Sequence, residues 1–168
     1  MTTRQIARPR LEGRLIPSVP LPRVGGGEWR ARSYRGRRAL TLYFLHPACA
    51  DCDAVAAAIV PRYGDYAEAT AEPAVIVAGT LSQAEDLRGR LALPFPVLAD
   101  TNGAAGERHG LPLGAVGLLV SDRFGTPALW TFDPEGHDLP DQESVLRELD
   151  YLSHTCSGGC STPIWPDE

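Results

Sequence analysis

At 168 residues the chain is long enough for one domain with a proper core, and a single domain over residues 1–168 is expected. Its basic residues are all arginine, which excludes lysine chemistry, and a net charge of −5 argues against general affinity for nucleic acid.

Residues 1–14 read as a loose, arginine-rich tail. Residues 1–38 together carry ten of the arginines against only Glu12 and Glu28, so about +8 there faces about −13 elsewhere. A basic arm of this kind suits contact with RNA or a membrane surface; the expectation here is that it folds back over the acidic remainder. From Leu15 to Val24 the prolines at 17, 20 and 22 forbid a helix or a central strand. Gly25-Gly26-Gly27 is a turn, and Glu28 to Arg32 is one arm of a short hairpin. The triple glycine lacks the preceding strand and the Lys-Ser/Thr of a phosphate loop.

Ala39 to Leu45 is nearly all apolar, the pattern of a strand buried on both faces. A helical pattern begins at Cys52, with Val55, Ile59 and Tyr63 on its core side beside Ala56 and Val60, and Pro61 kinks or ends it. Ala74–Ala78 is a second buried strand. Leu81 opens a helix in which Ser82 and Glu85 have capping-box spacing. Phe95–Ala99 is a third strand, and Asp100-Thr101-Asn102-Gly103 turns into a short helix ending near His109. Val116–Val120 and Pro127–Phe132 flank a turn at Asp122–Gly125, an antiparallel signal. Val145, Leu146, Leu149 and Leu152 mark a final helix. Alternating strands and helices imply an α/β fold, a mixed sheet with helices on both faces, and chemistry at the carboxyl end of a central strand.

Cys49-Ala50-Asp51-Cys52 lies where that chemistry belongs. At the amide end of a helix, backbone N–H groups and the partial positive charge favour a thiolate. A second sulfur three residues on completes the minimum for making and breaking disulfides. Cys49 is the expected nucleophile, and Cys52 the more buried resolving thiol. Asp51 opposes a thiolate by like charge, whereas a protonated His46 nearby would favour it; His46 also fits a hydrogen-bonded side chain without a role. Cys156 and Cys160 have three readings: bystander thiols, a relay exchanging with Cys49/Cys52, or the second half of a zinc site formed by Cys49, Cys52, Cys156 and Cys160. His109, His137 and His154 read as surface or hydrogen-bonded residues. Asp138, Asp141 and Glu143 fit the capping of the last helix.

With these elements in order, the chain resembles the thioredoxin-like superfamily and, within it, the redoxin/peroxiredoxin-like (AhpC/TSA-type) branch. Leu21-Pro22 through Gly27 to Tyr34-Arg35-Gly36-Arg37 is similar to that branch's N-terminal hairpin, and Thr41–Phe44 leads into its cysteine motif. Phe95-Pro96-Val97-Leu98-Ala99-Asp100 to Gly103, then Glu107 to Leu111, resembles its Phe-Pro-x-Leu-x-Asp passage. Gly117 to Gly125 resembles its strand ending in Asp-x-x-Gly. The resemblance implies a thioredoxin-like fold with an N-terminal hairpin extension and thiol–disulfide or thiol-peroxidase chemistry. Three positions depart from it. Ala48 precedes the first cysteine, Ala54 stands at the peroxidatic position counted from Pro47, and Val116 falls where a cis-proline or the peroxidatic arginine is expected.

The expected activity is thiol–disulfide exchange with a protein or small-molecule thiol or disulfide, with no cofactor, nucleic acid or membrane involved. The alternatives are a non-enzymatic metal- or partner-binding redoxin and a peroxidase. No stretch is long enough to span a bilayer, and Met1–Leu15 lacks the apolar core of a secretory signal, so the cytoplasm is the expected compartment. There, cysteines serve catalysis, redox or metal binding more often than structure.

Overall fold

The computed structural model describes residues 14–155. Two short strands, β1 (Leu21–Pro22) and β2 (Glu28–Trp29), form the antiparallel hairpin extension. The glycine turn between them has positive φ at all three residues, so the triple glycine follows from backbone geometry. A 3-10 turn at Ala31–Tyr34 leads into β3 (Ala39–Leu45). Then come α1 (Ala50–Ile59), a 3-10 turn at Val60–Arg62, α2 (Tyr63–Glu68), β4 (Ala71–Val77), α3 (Leu81–Leu91) and β5 (Val97–Ala99). The chain continues through α4 (Ala104–Arg108), β6 (Val116–Ser121), β7 (Pro127–Asp133) and α5 (Gln142–His154).

The main sheet has the order β5-β4-β3-β6-β7. β3 sits at its centre, parallel to β4 and antiparallel to β6, and both its faces are buried. Period-two alternation splits it cleanly. Tyr43 and Leu45 pack with Cys52, Ala56, Ile59, Tyr66, Leu87, Val145 and Leu149 from α1, α2, α3 and α5. Leu40, Leu42 and Phe44 face the other way, onto Leu15, Ile16, Trp29, Ala31 and Ala105. The second face is therefore covered by α4 and the proline-held N-terminal segment. Each fully buried Leu, Ile or Phe adds about 1.5–3 kcal/mol.

Three local expectations shift. α1 begins at Ala50, two residues before Cys52, because Cys49 is its N-cap. The capping box of α3 is Thr80/Gln83 in place of Ser82/Glu85: Gln83 N–H donates to Thr80 Oγ1 at 3.2 Å, and Thr80 N–H donates to Gln83 Oε1 at 2.9 Å. β4 starts three residues earlier than Ala74 and includes Pro73. The N–H of Val75 donates towards β5, to Pro96 O at 3.0 Å, so the missing N–H of Pro73 faces the same flank where β5 does not reach.

Pro61 sits in the 3-10 turn that separates α1 from α2. The Tyr43, Tyr66 and Gln142 side chains close a ring of hydrogen bonds between β3, α2 and α5. Tyr43 and Tyr66 hydroxyls lie 3.0 Å apart, Tyr66 donates to Gln142 Oε1 at 2.7 Å, and Gln142 Nε2 donates to Tyr43 at 2.9 Å. Burial pushes both phenols to higher pKa and keeps them as donors.

Candidate active site

The sheet register explains why distant residues meet. β6 runs antiparallel to β3 with Gly117 opposite Phe44, and Asp133 at the end of β7 lies opposite Val116. The end of β3, the start of β6 and the end of β7 therefore share one edge of the sheet. Segments 46–52, 114–116 and 133–138 converge there.

Ala48 takes a left-handed backbone with φ +50°, a conformation costing a non-glycine residue about 1 kcal/mol. That sharp turn sends the chain from β3 into α1 with Cys49 extended at the N-cap. Cys52 N–H donates to Cys49 Sγ at 3.4 Å, a cap made by sulfur where oxygen is usual. Cys49 is half-buried and Cys52 is 1% exposed; both are free thiols. The Cys52 thiol is pushed up to about 12, first by burial, with the neighbouring Cys49 adding to the rise and a hydrogen bond from His46 N–H opposing it. That N–H lies 3.3 Å from Cys52 Sγ.

The imidazole that touches Cys49 is His137, absent from the sequence-derived candidates. Its Nε2 lies 3.1 Å from Cys49 Sγ, and its Nδ1 lies 3.5 Å from Asp51 Oδ2. Asp51 thus faces the imidazole as well as the helix start. The expected partner, His46, donates Nε2–H to the carbonyl of Gly114 at 2.8 Å, and its ring meets that of His137 edge-on at 5.6 Å. His46 therefore joins the site through its backbone N–H on Cys52 and its ring beside His137.

The turn carrying His137 is braced by Asp133. Oδ1 accepts from Glu135 N and Gly136 N at 3.1 and 2.9 Å, and Oδ2 accepts from Asp138 N at 3.0 Å. These backbone donors, the Asp138 N–H foremost, hold the carboxyl below its ordinary pKa. Asp138, expected to cap the last helix, is instead part of this turn, and Asp141 is the cap of α5, accepting from Ser144 N at 2.8 Å.

Val116 is buried at the start of β6, just past the Gly114 carbonyl that holds His46, and the described residues contain no cis peptide bond. Ala54 is exposed on α1. His109 is buried with Nδ1 2.7 Å from the Ala105 carbonyl, and His154 is exposed at the end of α5. Beside His46 opens a groove of about 350 Å³ walled by Phe44, Leu111, Pro112 and Leu113.

Cys156 and Cys160 lie outside the described residues. Thr155, the last described residue, lines a cavity with Ala39 and Arg123 at the end of the sheet where β3 begins. Seven-residue β3 spans about 20 Å from there towards the Cys49 edge.

A mixed sheet centred on β3, with a Cys-x-x-Cys at the start of the helix that follows it, defines a thioredoxin-like protein. The sequence pattern of the AhpC/TSA family matches residues 13–137, and the chain belongs to that family. A search of curated proteins finds no match. Among solved structures, the fold is similar to Xanthomonas campestris peroxiredoxin Q, with a TM-score of 0.70 at 15% identity over 80% of this chain and 91% of that one. It is also similar to the Mycobacterium tuberculosis peroxidoxin BcpB, with a TM-score of 0.69 at 18% identity over 82% and 94% of the two chains. A secreted M. tuberculosis disulfide oxidoreductase homologous to E. coli DsbE aligns with a TM-score of 0.64 at 17% identity over 80% and 96%. Among the described residues no helix is long and apolar enough to cross a membrane.

Proposed function

We propose that the protein is a thiol–disulfide oxidoreductase in which Cys49 attacks and Cys52 resolves. The observation that carries this reading is the half-buried Cys49 sulfur held 3.1 Å from His137 Nε2, with the buried Cys52 sulfur within 4.8 Å of it.

His137 Nε2 takes the Cys49 proton, and Asp51 facing Nδ1 stabilises the imidazolium. Cys49 sulfur attacks one sulfur of a substrate disulfide. A Cys49–substrate bond forms, the substrate S–S bond breaks, and the departing thiolate takes the proton from His137. Cys52 then attacks Cys49 sulfur, its proton passing to the second substrate sulfur as that group leaves as a thiol, and a 49–52 disulfide remains. Two electrons pass from the cysteine pair to the substrate. Burial keeps Cys52 protonated until the mixed disulfide places a leaving group beside it. His46 positions Cys52 through its backbone N–H.

The partners in this reading are protein or small-molecule thiols and disulfides, and the compartment is the cytoplasm, where a reducing pool keeps the pair as thiols. Exchange with Cys156/Cys160, which lie outside the described residues, belongs to the same proposal as a relay. The test is the rate at which the reduced full chain cleaves a chromogenic disulfide, compared with Cys49→Ser. Loss of the reaction in the variant is expected; equal rates overturn the assignment.

Thiol-peroxidase chemistry is a second reading, favoured by membership of the AhpC/TSA family. Ala54 supplies no sulfur, so Cys49 would have to reduce the peroxide. Rapid peroxide consumption that vanishes in Cys49→Ser would favour it.

A further inference from the structure

Disulfide exchange needs two sulfurs and one imidazole, but this site holds two imidazoles. One ligand atom from each of His46, Cys49, Cys52 and His137 lies within 4.8 Å of all the others. With zinc–sulfur bonds of about 2.3 Å and zinc–nitrogen bonds of about 2.0–2.1 Å, tetrahedral ligands sit about 3.3–3.8 Å apart. Side-chain adjustments of about 1 Å close that gap.

The outer contacts suit a metal as well. A carbonyl oxygen only accepts, so His46 Nε2 carries its hydrogen to Gly114 O, and Nδ1 keeps its lone pair. His137 Nδ1 faces the Asp51 carboxylate, which leaves Nε2, the nitrogen beside Cys49 Sγ, as the free donor. An imidazole held on one nitrogen by a carbonyl or a carboxylate, and free on the other, is the usual environment of a metal-bound histidine. The ligand atoms are sulfur and imidazole nitrogen, a set that suits tetrahedral zinc.

The geometry points to a zinc site formed by His46, Cys49, Cys52 and His137 in the reduced protein. It shares Cys49 and Cys52 with the four-cysteine zinc site considered from the sequence, whose other two ligands, Cys156 and Cys160, lie outside the described residues. Coordination deprotonates both thiols, so the buried Cys52 enters as a thiolate when the metal arrives. The two thiolates cancel the charge of the ion.

The same sulfurs form the disulfide, so metal and oxidation exclude each other. A disulfide substrate takes two electrons from the pair: the 49–52 bond forms, the substrate bond breaks to two thiolates, and zinc leaves as the divalent ion. The site is thus a redox-gated zinc holder. It does not depend on disulfide exchange being the protein's activity, since binding is measured on protein that turns nothing over.

The test titrates zinc chloride, in competition with a chromophoric indicator, into full-length protein that has been reduced, stripped with chelator and desalted. One zinc per chain is expected. His46→Ala and His137→Ala should each weaken binding by about 10-fold or more. The Cys156→Ser/Cys160→Ser variant should bind like wild type, and the oxidised protein should not bind. Cobalt substituted for zinc should show the visible bands of a tetrahedral site with sulfur-to-metal charge transfer, a readout that only a folded, correctly liganded site gives. Absence of binding, binding indifferent to both histidines, or loss of binding in the C-terminal variant would each overturn the proposal. Disulfide cleavage assayed in chelator stands or falls separately.

Discussion

The first turns of α1 and α5 start from opposite sides of the same physics. α5 opens on Asp141, whose carboxylate takes the Ser144 N–H at 2.8 Å, and its first residue, Gln142, closes the buried ring with Tyr43 and Tyr66. α1 opens on a sulfur that takes the Cys52 N–H at 3.4 Å, after a left-handed Ala48. One start is built from strong, satisfied oxygen contacts. The other accepts strain and a weaker cap where serine or aspartate would stabilise more, and what it gains is a thiol beside an imidazole. The contrast separates a helix start shaped for stability from one shaped for chemistry.

The contrast is sharpest at His137. His137→Ala should slow disulfide cleavage about 10- to 100-fold while leaving the far-ultraviolet dichroism unchanged; a rate equal to wild type would remove the imidazole from the account. Tyr43→Phe should do the reverse. It leaves the half-buried Gln142 amide without its acceptor and the buried Tyr66 hydroxyl without its Tyr43 partner, and costs about 1–3 kcal/mol in a urea unfolding curve, with Cys49 reactivity preserved. Cys49→Ser, inactive, should stabilise the fold by up to about 0.5–1 kcal/mol by giving α1 an oxygen cap. A lower unfolding midpoint would mean that the sulfur is a structural cap after all.

The smallest effect concerns Asp133. Its pKa is depressed in the folded state, so the stability it adds is full above the unfolded value of about 3.9 and is lost as pH falls through the folded value. Between neutral pH and about pH 3, wild type should therefore lose more stability than Asp133→Asn.

How much of this was readable from residues alone depends on burial and on sequence distance. β3 was legible over its full length because both faces are core and every residue is apolar or a strand former. The hairpin at Asp122–Gly125 was legible because its turn chemistry is local: Asp122 Oδ1 takes the Phe124 and Thr126 N–H groups. β4 extends three residues before the apolar run that marks it, because the sheet's open flank makes Pro73 harmless there. The α3 cap lies two residues before the expected one because Thr80/Gln83 and Ser82/Glu85 both have the required spacing.

The cysteine pair and its helix start were legible for the same local reason. His137 was not, being 88 residues from Cys49. Among His109, His137 and His154 nothing local singled it out. Its position follows from the antiparallel β6–β7 register, which returns the chain to the edge where β3 ends. A histidine in the turn just past β7 was the available signal, and it needed the topology to be read.

The most direct test of the central claim is trapping. Reduced Cys52→Ser and Cys49→Ser proteins, each also carrying Cys156→Ser and Cys160→Ser, are mixed with a small disulfide and weighed intact by mass spectrometry. The account predicts one stable adduct on the Cys52→Ser protein, located at Cys49, and none on the Cys49→Ser protein. An adduct at Cys52, or none on either protein, would contradict it.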